Sequence, residues 1–285
     1  MYPTSTITSN NEAQSQSFVG KITSQKRPLI GSGLTLPSTA IAQLAGQSDC
    51  DFVMIDMEHS PLTIDIVMQM VHAFVASSNG TKFPLIRVPS HGVEWIKWAL
   101  DSGAAGIIIP MVNNVDEMKA LLDRALYPPL GRRSFGPSNA PFARLQGAEN
   151  GVGGYFQRAR RGEIAILPMI ESKEGLENVE AILSLDGVSG TFIGPADLRL
   201  SLGLTVGVDG SEPAFLQALK DICAIGKKFH KVVGCMGMGE TGAGSRAAEG
   251  MDFLIATADS SALVAGLAAD IGLARNGISK ARAYL

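Results

Sequence analysis

Cysteine is scarce: Cys50, Cys223 and Cys235 are an odd set of three without CxxC spacing. That excludes a disulfide framework and a zinc knuckle as organising features and fits a reducing compartment, so a cytoplasmic location is expected. Excess positive charge is lacking too. With 24 Lys and Arg against 27 Asp and Glu, the formal charge of -3 offers no general cationic field, and nucleic acid is not an expected partner. Every apolar run is interrupted by Gly, Asp or Lys before it reaches spanning length, so no membrane segment is expected. Residues 1–27 lack both the apolar block of a secretion signal and the Arg-rich, acid-poor composition of a transit peptide. Rich in Ser, Thr, Gln and Asn, they read as a flexible N-terminal arm that packs on a neighbouring subunit.

What is present is a chain 46% apolar and 18% charged, enough to bury a large core and to set disorder aside. From Pro28 onward, short apolar, β-rich runs alternate with longer segments of helical period, the pattern of βα units around a parallel sheet. The pattern predicts strands over 29–34, 52–55, 85–88, 106–109, 164–170, 190–193, 232–235 and 253–256. It predicts helices over 38–45, 64–75, 93–102, 115–125, 175–183, 213–229, 242–249 and 260–276, with Pro37-Ser38 opening the first and Gly103 closing the third. Eight of each specify a single α/β domain over 28–285, a closed (β/α)8 TIM barrel; a doubly wound open sheet is the alternative. Residues 126–162 break the rhythm, and a long loop of this kind in a compact domain is usually functional or disordered.

In such a barrel the working residues sit at the carboxyl ends of the strands. Glu171 and Asp197 follow the fifth and sixth strands. Neighbouring strands lie roughly 4.8 Å apart, so both carboxylates can reach one cation. Hard oxygen ligands completed by water and a chelating substrate suit Mg²⁺, Mn²⁺ or Co²⁺. Taken singly, each acid could equally cap a helix, Glu171 the one beginning near Lys173 and Asp197 the turn after Pro195. His59 is the one histidine that directly follows a strand, where a side chain titrating near neutrality can carry a proton, although a lone His is more often a surface group. Arg87, before Val88-Pro89, can aim a permanently charged fork across the barrel mouth at a carboxylate or a developing enolate oxygen. The competing reading is a rim salt bridge from Arg87 to Asp56 or Glu58. Asp101 opposes the dipole at a helix C-terminus, an unfavourable placement that hints at use. Gly194-Pro195-Ala196 exposes backbone amides at a helix start, a cradle for a small anion.

Other chemistries are short of residues. Gly234-Cys235-Met236-Gly237-Met238-Gly239 lacks a GK[ST] ending and reads as a tight turn, and its methionines, with Met54, Met57, Met111 and Met169, read as packing. Lys82, Lys173 and Lys231 are all misplaced for a Schiff base at a strand end. Arg158, Arg160 and Arg161 could line a groove for an acyl-CoA nucleotide, but a solvated charged loop accounts for them more simply.

The runs Asp51-Phe52-Val53-Met54-Ile55-Asp56-Met57-Glu58-His59-Ser60-Pro61, Leu85-Ile86-Arg87-Val88-Pro89, Pro128-Pro129-Leu130-Gly131-Arg132-Arg133, Ile170-Glu171-Ser172 and Phe192-Ile193-Gly194-Pro195-Ala196-Asp197-Leu198 resemble the HpcH/HpaI aldolases, metal-dependent pyruvate aldolases. The resemblance runs in order from about Pro28 to the C-terminus. It implies a (β/α)8 barrel of the phosphoenolpyruvate/pyruvate type whose last helix packs on a partner subunit, within a hexamer built as a trimer of dimers. It implies that Glu171 and Asp197 hold the divalent metal, Arg87 stabilises the enolate and His59 is the base. Asp101, from a neighbouring subunit, would raise the basicity of His59, and the Ala196 amide, beside Gly194, would bind the pyruvate carboxylate. The implied reaction cleaves or forms a 4-hydroxy-2-oxo acid, giving pyruvate and an aldehyde.

Two departures bear on substrate. Met169 stands where many relatives carry a substrate-contacting glutamine, and the segment after Arg133, with Phe135, Pro137 and Phe142, differs from the usual family sequence. These changes resemble the fungal macrophomate synthase-like members, which decarboxylate oxaloacetate to the same enolate. That activity is the alternative, and a catalytically silent keto-acid-binding barrel is a further one.

Overall fold

Short apolar runs form eight strands: β1 (Leu29–Leu34), β2 (Phe52–Asp56), β3 (Phe83–Arg87), β4 (Gly106–Ile109), β5 (Ala165–Ile170), β6 (Gly190–Ile193), β7 (Val232–Met236) and β8 (Phe253–Ala258). Each pairs in parallel with the next and β8 returns to β1, which closes the barrel and excludes the open doubly wound sheet. The computed structural model describes residues 17–282 apart from 26, 147, 148 and 150. β2, β4, β5 and β6 are buried at every position. That is why they read as unbroken apolar runs: side chains pointing inward fill the barrel and those pointing outward meet helices.

The helices are α1 (Phe18–Ser24), α2 (Thr39–Gln47), α3 (Ile64–Ser77), α4 (Val93–Asp101), α5 (Val115–Ala125), α6 (Gly151–Arg160), α7 (Lys173–Leu183), α8 (Pro195–Ser201), α9 (Pro213–Lys228), α10 (Gly239–Ala248) and α11 (Asp259–Arg282). Local capping sets several starts. Ser38, Asn114 and Ser172 each accept a hydrogen bond from the amide three residues on, at Ile41, Glu117 and Gly175. Gly103 takes φ 85° just beyond α4, in the left-handed region that ends a helix without a side-chain clash. Among the described residues no helix is long and apolar enough to cross a membrane.

The expectation of a flexible arm over 1–27 needs correction where the structure describes it; residues 1–16 lie outside the described residues. Ser17 caps α1 by accepting from the Gly20 amide, and Phe18 is fully buried under the amino-terminal end of the barrel. Its ring meets Phe52, Phe83 and Phe253 edge-on, with centroids 5.5, 6.0 and 5.1 Å away. Only Phe18 and Ile22 mark this face in seven residues, too short a period to stand out from polar sequence. Phe18→Ala should therefore cost about 3–5 kcal/mol, as deletions of buried aromatic rings do. A lower urea midpoint at unchanged slope would record that loss, whereas an unchanged midpoint would show the segment to be dispensable.

At the opposite terminus, α11 runs 24 residues with none buried and leaves Leu263, Val264, Leu267, Ile271, Leu273 and Ile278 exposed. Its first residue is fixed: the Asp259 carboxylate accepts from the amides of Thr35 and Leu36 and from the Thr35 hydroxyl. A groove of about 510 Å³ lies beside it, lined by α2 together with residues of β1 and β8.

Candidate active site

Strand register brings the first pair of functional groups together. Asp56 and Arg87 end β2 and β3 as direct partners. Arg87 Nε and Nη2 donate to the two Asp56 oxygens at 2.8 and 2.6 Å, a two-pronged pairing. Asp56 Oδ1 also accepts from the amides of Glu58 and His59. Burial opposes ionisation of Asp56, but the Arg87 fork and these amides outweigh it and hold its pKa below the usual value. Glu58 Oε2 lies 3.2 Å from Arg87 Nη1 and 3.7 Å from His59 Nε2. Burial raises the Glu58 pKa, only partly offset by those two neighbours. The rim salt bridge and the pocket-facing arginine are thus one arrangement, because Arg87 makes both contacts and also lines the cavity. Of its five N–H groups Asp56 takes two and Glu58 faces a third, which leaves donors for a ligand.

Glu171 follows β5, and Ser172, not Glu171, caps α7, which settles the first of the competing helix-cap roles. Glu171 Oε1 accepts from the Met111 amide at 2.6 Å, and Met111 holds φ 52°, a strained conformation for a side-chain-bearing residue. Gly194 packs directly on this carboxylate: a Cβ there would lie 2.1 Å from Glu171 Oε2. Burial pushes the Glu171 pKa up to about 7, with the charges of Glu58 and Asp197 adding to it. Asp197 sits in the first turn of α8, whose cap residue Gly194 makes no side-chain hydrogen bond.

Asp56, His59, Arg87, Met169, Glu171, Gly194, Ala196 and Asp197 all border one cavity of about 240 Å³ at the carboxyl ends of the strands. Asp101 does not border it in the same chain. Its carboxylate is held at 2.6 Å by Arg133 Nη2, and Arg133 lies 4.5 Å over the Tyr127 ring and donates to Tyr155. The stretch 126–162 is accordingly no open loop: it carries α6 and a short 3₁₀ turn (Ala140–Phe142).

Sequence reasoning missed the other half of the cavity. Met54, Phe192, Met236, Met238 and Ile255 form an apolar wall beside the acids, so these methionines are more than packing. Alternation along β7 was the available signal, since it turns Met236 to the same side as Gly234. The Met111 amide was also missed, because a backbone donor leaves no mark in the residue type.

Among the described residues no three or more His, Cys, Asp or Glu side chains meet as a closed metal cage. The donor set still fits a hard divalent cation: of the three carboxylates that border the cavity, Asp56 is engaged by Arg87, which leaves Glu171 and Asp197 as oxygen ligands. Burial keeps the Glu171 carboxyl from ionising readily, and a cation bound beside it would relieve that cost.

Comparison with known proteins identifies the family. The family model described as HpcH/HpaI aldolase/citrate lyase matches residues 33–265. A hydroxypyruvate/pyruvate aldolase from Rhizorhabdus wittichii is 36% identical over 261 residues, covering 90% of this chain and 95% of that protein. A 2-keto-3-deoxy-L-rhamnonate aldolase from Klebsiella pneumoniae is 34% identical over 200 residues, covering 70% and 72%. Among solved structures, macrophomate synthase superposes with a TM-score of 0.79 at 26% identity, covering 95% of this chain and 90% of that one. A Burkholderia cenocepacia family protein gives 0.78 at 28% identity, covering 91% and 99%. The chain belongs to the HpcH/HpaI aldolase/citrate lyase family.

Proposed function

We propose that this protein is a divalent-metal-dependent carbon–carbon lyase that cleaves, or forms, 4-hydroxy-2-oxo acids, giving pyruvate and an aldehyde. The observation that carries the proposal is the convergence of Glu171, Asp197, Arg87 and His59 on one cavity. Glu171 and Asp197 are the residues that would hold Mg²⁺, Mn²⁺ or Co²⁺. When bound, such a cation polarises the 2-oxo group and offsets the charge that develops on its oxygen.

The chain's own groups do the rest. The amides opening α8, at Ala196 above all, receive the substrate carboxylate, while Gly194, having no side chain, lets the Glu171 carboxylate lie against this turn. His59 accepts the proton of the 4-hydroxyl. The bond between carbons 3 and 4 breaks, the aldehyde carbonyl forms, and the bonding pair passes into the enolate across carbons 2 and 3. The free N–H groups of Arg87 hydrogen-bond the enolate oxygen. Return of a proton to carbon 3 completes pyruvate. Met169 and the apolar wall are suited to the less polar part of the substrate. The His59 ring is largely exposed and, among the described residues, has only Glu58 within ion-pair distance, which fits a role for Asp101 supplied across a subunit contact. The exposed apolar residues of α11 and the groove beside its start support a homo-oligomer in which this helix packs on a partner; the hexamer built as a trimer of dimers is what the family resemblance implies.

Oxaloacetate decarboxylation is the second reading, favoured by Met169 and by the likeness to macrophomate synthase. It uses the same enolate but has no hydroxyl proton to remove. His59→Ala should therefore reduce aldol cleavage at least about 100-fold, the low end of general-base contributions, and leave oxaloacetate decarboxylation within a few-fold. Equal losses in the two assays would remove His59 from the proton-transfer role. The test of the proposal as a whole is exchange of the pyruvate methyl protons with deuterium, followed by NMR with added Mg²⁺ or Mn²⁺. Metal-dependent exchange is expected; a protein that binds pyruvate without exchange is a silent binder, and a borohydride-trapped pyruvate adduct would point to a lysine aldolase.

A further inference from the structure

The short helix α8 carries Ala196 and Asp197 into the cavity, yet it has no capping side chain and spans only seven residues. Something else must fix its rotation. Residues two apart on a helix point about 200° apart, so Arg199 leaves the side opposite Asp197. Its side chain is 5% exposed, and each of its nitrogens has a partner: Nη1 and Nη2 donate to Glu212 at 2.6 and 2.7 Å, and Nε donates to the Thr205 carbonyl at 3.0 Å. The guanidinium lies 5.0 Å from the ring centre of Phe215, which is fully buried. Arg246, on the helix that follows the Met236–Met238 turn, lies 5.5 Å from the same ring and pairs with Asp209 and Glu249. Residues 202–212 wrap this pair closely: a Cβ on Gly210 would meet Arg199 Nη1 at 1.6 Å.

The Glu212 side chain is 36% exposed, and an ion pair open to solvent on one side contributes little net stability, so its effect here is geometric. We propose that Arg199 is a positioning residue. Its fork on Glu212 sets the rotation of α8 so that the Asp197 carboxylate and the Ala196 amide face the cavity together. Lysine cannot reproduce this, because one ammonium offers no planar fork. The inference rests on the reading of Asp197 as a cation ligand.

The test titrates the full-length protein with Mn²⁺ alone, reading free Mn²⁺ by electron paramagnetic resonance, and adds pyruvate proton exchange as a second readout. Arg199→Ala should raise the Mn²⁺ Kd about tenfold, equivalent to about 1.4 kcal/mol, and raise the pyruvate KM, with kcat at saturation within about threefold. Arg199→Lys should fall between this variant and the wild type. Should Arg199→Ala fail to fold, Glu212→Gln keeps the shape and removes one charge, and a smaller rise in Kd is expected. Unchanged Kd and KM in a folded variant, beside a weakened Asp197→Asn, would overturn the positioning role alone. An Asp197→Asn protein that binds Mn²⁺ as tightly as wild type would overturn both this inference and the site it serves.

Discussion

Glu171→Ala and Asp197→Ala should each lose activity by at least about 10³-fold and lose metal dependence with it, since a cation's stabilisation of developing charge is worth several kcal/mol and each 1.36 kcal/mol is tenfold in rate. The reason lies in how few ligands there are. With no third carboxylate, His or Cys side chain in a cage among the described residues, removing one of two leaves a single anchor. The pH dependence follows from the same geometry. In the metal-free protein Glu171 keeps its proton up to about 7, mainly through burial. A carboxyl whose folded pKa lies above its unfolded value stabilises the fold fully below about 4.5 and loses that contribution as pH rises through about 7. Cation binding must displace this proton, so affinity should climb by up to about tenfold per pH unit below 7 and level off above it. Calorimetry in buffers of different ionisation enthalpy reads the proton release directly. Affinity independent of pH between 5 and 7, or full turnover in excess chelator, would contradict the assignment.

Arg87→Lys should lower turnover by about 10²–10³-fold, the cost of removing a donor aimed at a developing oxyanion. Lysine is chosen over alanine deliberately. Asp56 is buried and relies on Arg87, so alanine would leave a carboxylate without its partner, and stability would fall along with activity. Lysine preserves the charge facing Asp56 but cannot grip both its oxygens and an enolate oxygen at once. The loss should therefore appear in both aldol cleavage and oxaloacetate decarboxylation, because both pass through the enolate. A wild-type rate in either assay would dismiss Arg87 from that role. Loss confined to aldol cleavage would move it from the enolate to the aldehyde side.

Much of this arrangement is legible in the sequence because local pattern dictates it. β1, β4 and β6 begin and end where the apolar runs do, and the polar residues after β2, β5 and β6 converge as barrel geometry requires. What stays hidden depends on long-range contact. Phe18 gains meaning only from three aromatic rings brought together by closure of the barrel. The Arg133 partner of Asp101 lies 32 residues away, and nothing in the identity of either residue announces the pair. α6 opens on Gly151-Val152-Gly153-Gly154, residues that argue against a helix until tertiary packing overrides them. The competing helix-cap reading of Glu171 turned on its neighbour, because a serine one position later does the capping and leaves the acid free for the cavity.

The most direct test of the central claim is a crystal of the protein soaked with Mn²⁺ and examined for its anomalous signal. The account predicts one strong peak inside the cavity, within about 2.0–2.3 Å of carboxylate oxygens from both Glu171 and Asp197, distances usual for oxygen bound to a small divalent ion. A peak held by one of them alone, or an ordered ion bound elsewhere with the cavity empty, would contradict it.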